Sequence, residues 1–269
     1  MSSREYPKVW SRFERTVEDG RMLTFEIEDV PEIMWSTAVE FMLGHYIRED
    51  LWWKSAGTAQ DLDAVQEYRV VLTSIIRQKT SLSCFLAEGD GSGRTLVAVN
   101  MCLPQEKGRF VEHQPVIIIV YLTYLIVYLV FLFIYYYYFD EPLKIRIFQP
   151  KSKAGLLSLK MFIEAMKVTA IYDNYNVKTY LMGAGLSVAP EYRRLGIATE
   201  LLKARKNLSK TLGFRATGGI FTNAAAQKVA EKARMECVYQ IPYKKFGKKC
   251  DISFNDDTEN LKIFATRTD

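Results

Sequence analysis

Histidine and cysteine are scarce in this chain of 269 residues, and their scarcity argues against several kinds of site. There are two histidines and four cysteines, and no two cysteines are spaced Cys-x-x-Cys. Zinc sites and disulfide frameworks need such clusters, so we expect neither a metal site nor disulfides. The first fifteen residues, MSSREYPKVWSRFER, are polar and predict no secretory signal. Together these features favour a cytoplasmic location.

The net charge of +5 is small but unevenly distributed. Residues 190–249 hold fourteen Lys and Arg against four Asp and Glu, a net charge of +10. This excess favours a polyanionic partner near the C-terminal third. RNA-binding and zinc-finger patterns are lacking, so we expect no nucleic acid. Coenzyme A, with its pyrophosphate and 3′-phosphate, satisfies the same electrostatics with a smaller footprint.

The segment LSVAPEYRRLGIAT, residues 186–199, is the most informative part of the sequence. A strand stops at Pro190, and a helical pattern follows Gly196 with apolar residues at three- and four-residue spacing. The turn aims the free N–H groups of a new helix, with Arg193 and Arg194 beside them, at one place. That arrangement suits a phosphate, and a glycine at 196 permits close backbone approach. An ordinary strand–turn–helix with a solvated arginine pair is the alternative.

The order Arg193-x-x-Gly196-x-Ala198 after Pro190 resembles the acetyl-CoA pyrophosphate loop of the GNAT superfamily of N-acetyltransferases. More narrowly, GLSVAPEYRRLGIATELL is similar to the insect arylalkylamine N-acetyltransferase branch. The resemblance is specific over residues 180–243, looser over 20–103, and absent over 112–142. It implies that backbone groups of three strand residues bind the pantetheine arm and that a seven-residue loop binds the pyrophosphate. The implied cofactor residues are Leu186, Ser187, Val188, Arg193, Arg194, Leu195, Gly196, Ile197, Ala198, Thr199 and Asn223.

The resemblance also implies a catalytic base. The family places a glutamate in the pattern aromatic-x-x-Glu-Pro-Leu, and Tyr46-Ile47-Arg48-Glu49-Asp50-Leu51 occupies that place here. Glu49 matches the glutamate, while Asp50 replaces the proline. A carboxylate takes a proton from an ammonium group through a water if burial raises its pKa. A solvated loop glutamate is the alternative. Trp52 and Trp53 are candidates for either an aromatic amine pocket or core packing.

The second half of the family motif is incomplete. Many members show Asn-x-x-Ala-x-x-x-Tyr-x-x-x-Gly-Phe after the fifth strand, and Asn223 and Ala226 match that pattern. The tyrosine credited as general acid is Ala230 here, and Gly-Phe is Arg234-Met235. A thiolate with a pKa of about 8–9 needs little acid help near neutral pH. We therefore expect a weakened mechanism rather than an abolished one.

Hydrophobic periodicity and turn residues predict an α/β (α+β) fold with a mixed sheet and helices on both faces. The resemblance implies a GNAT-type sheet that is mostly antiparallel and has about six to seven strands. The helix near 61–78 is predicted to bury Leu62, Val65, Tyr68, Leu72 and Ile76, and that near 153–171 to bury Leu156, Leu159, Phe162, Ala165 and Met166. The predicted strands are 23–28, 81–90, 94–104, 180–188, 216–222, 237–243 and 260–266, and the predicted helices are 31–43, 61–78, 153–171, 197–212 and 223–234.

Residues 116–139 are an anomaly, because 24 consecutive residues carry no charge. Roughly 20 apolar residues suffice for a transmembrane helix. A single crossing would, however, separate strands that must pair in one sheet. The run has three interpretations: an apolar insertion, a membrane-surface anchor, or translated non-coding sequence. We predict an N-terminal extension, 1–19, and a GNAT domain, 20–269, interrupted at about 112–142.

The sequence thus predicts an acetyl-CoA-dependent N-acetyltransferase, an acyltransferase that acts on a small primary amine. An arylalkylamine is the expected acceptor, and direct attack without an acyl-enzyme is the expected route, because no cysteine lies in the matched motifs. Two alternatives stay open. One is a CoA-binding protein with weak or no catalysis, and the other is a protein anchored in a membrane through 116–139.

Overall fold

The computed structural model describes residues 4–87, 93–107, 150–255 and 257–269. Within them, eight strands form one sheet in the order β1-β2-β3-β4-β5-β6-β8-β7. Only β5 and β6 are paired in parallel, and the other six described pairs are antiparallel. The strands are β1 Val9–Thr16, β2 Met22–Asp29, β3 Leu82–Ala87, β4 Arg94–Glu106, β5 Thr179–Val188, β6 Ala216–Phe221, β7 Glu236–Pro242 and β8 Asn260–Arg267.

Helices cover both faces of this sheet. A π-helical turn, Met42–Tyr46, joins the first two, and a short 3-10 turn, Pro190–Tyr192, follows β5. The described α-helices are α1 Trp35–Phe41, α2 Ile47–Glu49, α3 Leu51–Ala56, α4 Leu62–Ile76, α5 Lys153–Lys167, α6 Ile171–Tyr175, α7 Ile197–Thr211, α8 Ala224–Lys232 and α9 Tyr243–Cys250. The predicted mixed, mostly antiparallel α/β fold is therefore confirmed, with eight strands where six to seven were expected.

The core lies in two layers because successive strand residues point to opposite faces of a sheet. In β4, Val99 and Met101 pack with α1 and α4 on one face, and Ala98 and Cys102 pack with α7 on the other. The predicted inward positions are wrong at two helix starts. Leu62 is 79% exposed and Leu156 is 52% exposed.

Three described elements were not predicted from the sequence. Strand β1 lies within the predicted extension 1–19 and pairs along its whole length with β2. The segment around Trp52 and Trp53, predicted as a loop, is helix α3: the Asp50 carboxylate accepts the Trp52 N–H at 3.0 Å, and Gly57 ends the helix at φ +71°. Helix α9 replaces the loop expected after β7.

The sheet divides between β5 and β6, and this division forms the cleft described below. The two strands pair only from Leu181–Thr217 to Gly183–Gly219, yet β5 continues to Val188. At the vertex, a side chain on Gly219 would lie 3.0 Å from the Gly183 carbonyl oxygen, so glycine permits the close approach there. Beyond the vertex, the backbone of β5 has no β6 partner on that side.

A bulge in β5 sharpens this division. Asn100 of β4 lies opposite Leu186 and Cys102 opposite Gly183, so β5 carries one extra residue. Gly185 takes up the irregularity at φ +134°, and the Asn100 amide donates to its carbonyl at 2.9 Å. The pairing of β4 with β5 also places residues 94–106 and 179–188 in the same sheet, as the sequence argument about the apolar run required.

The apolar run 116–139 and the whole predicted interruption 112–142 lie outside the described residues. Within the described ranges, none of the helices combines the length and the hydropathy that a bilayer crossing needs.

Candidate active site

A cleft of about 650 Å³ opens where β5 and β6 separate. The C-terminal half of β5 and the turn after it form one wall, and the segment His45–Asp50 lies across from them. Thr222, Asn223 and helix α8 close the far side. We call the turn Pro190–Ala198 the phosphate loop and the segment His45–Asp50 the acceptor wall. The structure thus brings the predicted cofactor residues and Glu49 to a single cavity.

Ten of the eleven predicted cofactor residues line this cleft. The exception is Leu195, whose side chain packs against the core beneath the loop and whose carbonyl accepts from the Arg15 guanidinium at 2.9 Å. Arg15 of β1 also lies 3.3 Å from the Glu200 carboxylate. Strand β1 therefore supports the phosphate loop from behind. No sequence pattern predicted this contact.

The phosphate loop has the backbone conformation of an anion site. Arg194 and Gly196 both adopt left-handed conformations, at φ +67° and +80°. The Arg193 N–H donates to the Pro190 carbonyl and the Thr199 N–H to the Gly196 carbonyl. The intervening amides at the start of α7 have no such acceptor among the described residues, and the positive end of the helix dipole adds to their attraction for an anion.

The two neighbouring arginines point in different directions. Arg193 donates from Nε to the Val188 carbonyl at 2.9 Å, and its Nη2 pairs with the Glu49 carboxylate. Its guanidinium therefore lies between the phosphate loop and the acceptor wall. Arg194 is exposed. The sequence could not distinguish the two residues, because both are typed equally for phosphate.

Glu49 ends α2 and faces the cleft with 42% of its side chain exposed. Besides Arg193, its carboxylate lies 3.6 Å from His45 Nδ1, one helical turn earlier. The imidazole of His45 packs against Phe41, with ring centroids 4.6 Å apart. Glu49 thus lies beside two groups that gain or hold positive charge. The carboxylate of the predicted base is therefore in contact with the cleft, and its role as a proton acceptor stays a prediction.

Asp50 also lies in the acceptor wall, and the sequence analysis noted it only as a replacement for the family's proline. It is only 8% exposed, and its carboxylate accepts from the Trp52 amide, from the Thr222 hydroxyl and from Asn223 Nδ2 at 3.5 Å. The Tyr243 hydroxyl in turn donates to the Thr222 carbonyl. Asp50 therefore joins α3 to the end of β6 and the start of α8, and the side chain next to Glu49 is fixed by residues some 170 positions away.

Tyr46 lies over the bulge in β5. Any side chain at Gly185 would collide with the Tyr46 ring, so these two residues are in direct contact. Burial first, and the nearby Asp50 carboxylate second, raise the pKa of Tyr46 well above its usual value. The hydroxyl therefore stays protonated at neutral pH. The sequence quoted Tyr46 only as the aromatic residue of the motif and assigned it no chemistry.

Asn223, the first residue of the incomplete half-motif, caps a helix. Asn223 is the N-cap of α8 and accepts the Ala226 N–H at 2.9 Å. Ala230, at the position of the family's tyrosine, is fully buried against Phe221 and Phe264 and does not line the cleft. The position at which this chain lacks the family's tyrosine is thus a packed core position.

Trp52 and Trp53, left open between pocket and core, are core residues. Trp52 stacks on Phe246 with ring centroids 5.7 Å apart, and Trp53 packs edge-on against Tyr46 and Tyr68. Neither lines the cleft. Among the described parts of the chain, His, Cys, Asp and Glu side chains form no group of three or more that could hold a metal ion.

One cleft residue has no counterpart in the sequence prediction. Arg205 of α7 is 2% exposed, yet it lines the cleft beside Gly183. Its signal was available, because it lies four residues after Leu201 and three before Leu208, on the buried face of the helix. An arginine on the apolar face of a helix is unusual, and a search for apolar periodicity alone does not detect it.

Comparison with known proteins agrees with this architecture. Residues 161–234 match the family model of the acetyltransferase (GNAT) family. None of the curated proteins compared with this chain matches it. Among solved structures, arylalkylamine N-acetyltransferase 7 from the yellow fever mosquito Aedes aegypti superposes with a TM-score of 0.78 at 22% identity, covering 100% of this chain and 98% of that one.

Two further structures share the fold. A mosquito arylalkylamine N-acetyltransferase like 5b has a TM-score of 0.63 at 18% identity, covering 90% of this chain and 99% of its own. A Drosophila melanogaster polyamine N-acetyltransferase that forms N-acetylagmatine has a TM-score of 0.61 at 15% identity, covering 96% and 100%. Identities this low establish the fold alone. The family-model match over residues 161–234 confirms the predicted resemblance to the GNAT superfamily.

Proposed function

We propose that the chain transfers an acetyl group from acetyl-CoA to a small primary amine, a function supported by the match of residues 161–234 to the acetyltransferase (GNAT) family model and by the shared fold. The observation that carries this proposal is the cleft between β5 and β6, with the phosphate loop on one side and Glu49 on the other. A phosphate-bearing thioester and an amine can meet there, because the anion-binding amides and the proton acceptor face one cavity.

The residues of the cleft fit coenzyme A in chemistry. The amides at the start of α7 and the Arg193 guanidinium supply donors and positive charge for phosphate oxygens. Beyond the vertex at Gly183 and Gly219, the edge of β5 offers backbone groups to an extended amide chain in the manner of an added strand. Leu186, Ser187 and Val188 lie on that edge. We assign them to the pantetheine arm and the phosphate loop to the pyrophosphate.

Glu49 is the proposed general base. A primary amine is protonated near neutral pH, so its nitrogen must lose a proton before it attacks the thioester carbon. In the attack a C–N bond forms and the C–S bond breaks, the ammonium proton passes through a water to Glu49, and the sulfur leaves as a thiolate. Arg193 pairs with Glu49 in this structure, so phosphate oxygens that attract Arg193 also release the carboxylate for the amine.

Tyr46 is the proposed proton donor to the departing thiolate. The usual tyrosine position is the buried Ala230, whereas Tyr46 touches the β5 bulge at Gly185. Its hydroxyl remains protonated because burial raises its pKa. The reaction therefore has a donor within the cleft, on the acceptor wall rather than on α8.

An arylalkylamine, such as a catechol or indole amine, is the proposed acceptor. The aromatic rings of Tyr46 and Tyr192 line the cleft, and a carboxylate for the ammonium lies at Glu49. Ring stacking and charge pairing together suit a molecule with an aromatic head and an amine tail. Two structures that share the fold carry the name arylalkylamine N-acetyltransferase, which agrees with this class.

Titration calorimetry with acetyl-CoA, followed by a thiol-release assay with tyramine, dopamine, serotonin and agmatine, tests the proposal. We expect saturable binding and turnover that is fastest with an aromatic amine. Turnover of agmatine alone would contradict the acceptor class. An absence of acetyl-CoA binding would contradict the whole proposal.

A CoA-binding protein with little catalysis is the second candidate. The ion pair between Glu49 and Arg193 favours it, since a base that stays paired accepts no proton. The loss of a tyrosine at Ala230 favours it as well. Binding of acetyl-CoA without turnover of any of the four amines would establish this alternative.

A further inference from the structure

Arg205 carries a positive charge at the floor of the cleft, and nothing in the proposed acetyl transfer uses it. It lies on the face of α7 that packs on the sheet, among Leu201, Leu208 and Ser209. Its side chain reaches under β5, where any side chain at Gly183 would collide with Nη1. A glycine at 183 therefore makes room for the guanidinium, which is 2% exposed and in contact with the cavity.

The guanidinium has no anionic partner within the described residues. No described carboxylate lies within 4 Å of it, and its Nε is buried without a hydrogen bond. Its hydrogen bonds go to two sulfur atoms, which are weak acceptors: Nη2 donates to Met235 at 3.8 Å, and the side chain also bonds Cys102. Cys102 and Tyr180 are its electrostatic neighbours, and both are neutral at pH 7, because burial raises the pKa of Cys102 to about 12 and raises that of Tyr180 further.

Burying a charge that has no anionic partner costs free energy, so a compensating group is expected. Burying an unpaired ion costs several kcal/mol even after relaxation, so native proteins pair such charges or use them. Burial accordingly lowers the pKa of Arg205, but a guanidinium still stays protonated at neutral pH. Arg205 lines the cleft, so a compensating group can reach it from there.

The position of Arg205 along α7 indicates which part of a ligand it meets. Nine residues separate it from Gly196 at the start of the helix, which corresponds to roughly 13 Å along the axis. The amides for phosphate lie at one end of this distance and the guanidinium at the other, beside the vertex at Gly183. A thioester held by its phosphates at the mouth directs its acyl end toward the floor.

We propose that Arg205 determines acyl specificity by binding a carboxylate at the far end of the acyl group, so that the chain accepts monothioesters of dicarboxylic acids with coenzyme A. This inference rests on the proposed function. A carboxylate matches the guanidinium in charge and in its two-donor geometry, whereas a terminal methyl group leaves it unpaired. The group transfer is unchanged: the C–N bond forms, the C–S bond breaks, and the amide product retains the free carboxylate.

Titration calorimetry with a matched pair of donors tests the assignment. Succinyl-CoA and butyryl-CoA have acyl chains of equal carbon number and differ in the terminal carboxylate, while free CoA and acetyl-CoA report on the rest of the site. We expect the wild-type protein to bind succinyl-CoA at least tenfold more tightly than butyryl-CoA. Equal or weaker binding of succinyl-CoA, with CoA still bound, would overturn the inference. If CoA itself failed to bind, the proposed function would fail instead.

The variant Arg205→Met, of similar volume, should bind CoA and acetyl-CoA like the wild type and lose the preference for succinyl-CoA. Its midpoint of thermal unfolding without ligand should be equal or higher, because an unpaired buried charge has been removed. Arg215→Met, at an exposed arginine, is the matched control and should change neither measurement. A retained succinyl preference in Arg205→Met would overturn the inference. If Arg205→Met does not fold, the comparison of succinyl-CoA with butyryl-CoA on the wild-type protein tests the inference by itself.

Discussion

The phosphate loop and the acceptor wall face each other across one cleft, but they are built from different kinds of chemical group. The phosphate loop works through backbone amides whose directions follow from local conformation, with left-handed residues at Arg194 and Gly196. The acceptor wall works through side chains whose positions depend on distant partners, as Asp50 does on Thr222 and Asn223. A local motif can therefore encode the first, whereas only the assembled fold fixes the second.

Glu49→Gln should produce the largest effect, because it removes the proposed base from the acceptor wall without altering its size. General bases contribute about 10²–10⁴-fold to rate, so we expect turnover to fall at least 100-fold while acetyl-CoA affinity changes little. Thiol-release kinetics and calorimetry measure the two quantities. Glu191→Gln, at an exposed carboxylate that does not line the cleft, is the control. Equal losses of turnover and affinity would mean that Glu49 is structural.

Gly196→Ala tests the phosphate loop in the opposite sense. An alanine at φ +80° is strained, and its methyl group would lie 3.5 Å from the Arg15 guanidinium that supports the loop from behind. We expect acetyl-CoA affinity to fall more than tenfold. Gly213→Ala is a matched control, since Gly213 has φ +82° and open space around it at the end of α7. Both variants should lose about 1 kcal/mol of unfolding free energy, and only the first should lose affinity. Similar affinities in both would refute the backbone role.

Asp50→Ala separates positioning from capping. Asp50 and Asp61 are both N-caps whose carboxylates accept a backbone N–H, but only Asp50 lines the cleft. Loss of either cap should cost about 1–2 kcal/mol of unfolding free energy. Asp50→Ala should in addition lower turnover about tenfold, because the acceptor wall loses its link to Thr222. Denaturant unfolding and thiol release provide the comparison with Asp61→Ala. Unchanged turnover in Asp50→Ala would reduce Asp50 to a cap.

Tyr46→Phe should have the smallest effect, about a few-fold loss of turnover, because the leaving thiolate needs little acid help. The raised pKa of Tyr46 keeps its hydroxyl protonated up to and beyond pH 10, so we expect no loss of wild-type activity that reports its ionisation in that range. Tyr68→Phe, a neighbouring buried tyrosine against Trp53, is the control. A turnover equal to that of the wild type in Tyr46→Phe would exclude the donor role.

This contrast also explains what the sequence could predict. The strand, turn and helix of 179–211 follow from proline, glycine and apolar spacing, which are local. The cofactor residues within them were implied by the resemblance of this segment to the family's loop. Helix α3 was not predicted, although Asp50 and Gly57 are residues that commonly begin and end a helix. The Asp50 network and the Arg193–Glu49 ion pair join residues 144 to 173 positions apart. No local pattern carries that information.

The contact between Arg15 and the Leu195 carbonyl has a practical consequence for how this protein is produced. A chain shortened to begin at residue 20 would look harmless in a domain diagram, since the family motif starts far downstream. It would expose the hydrogen-bonding edge of β2, which invites aggregation. It would also leave the phosphate loop without its support from behind, so that a soluble truncation could misleadingly pass for a protein with no affinity for its cofactor.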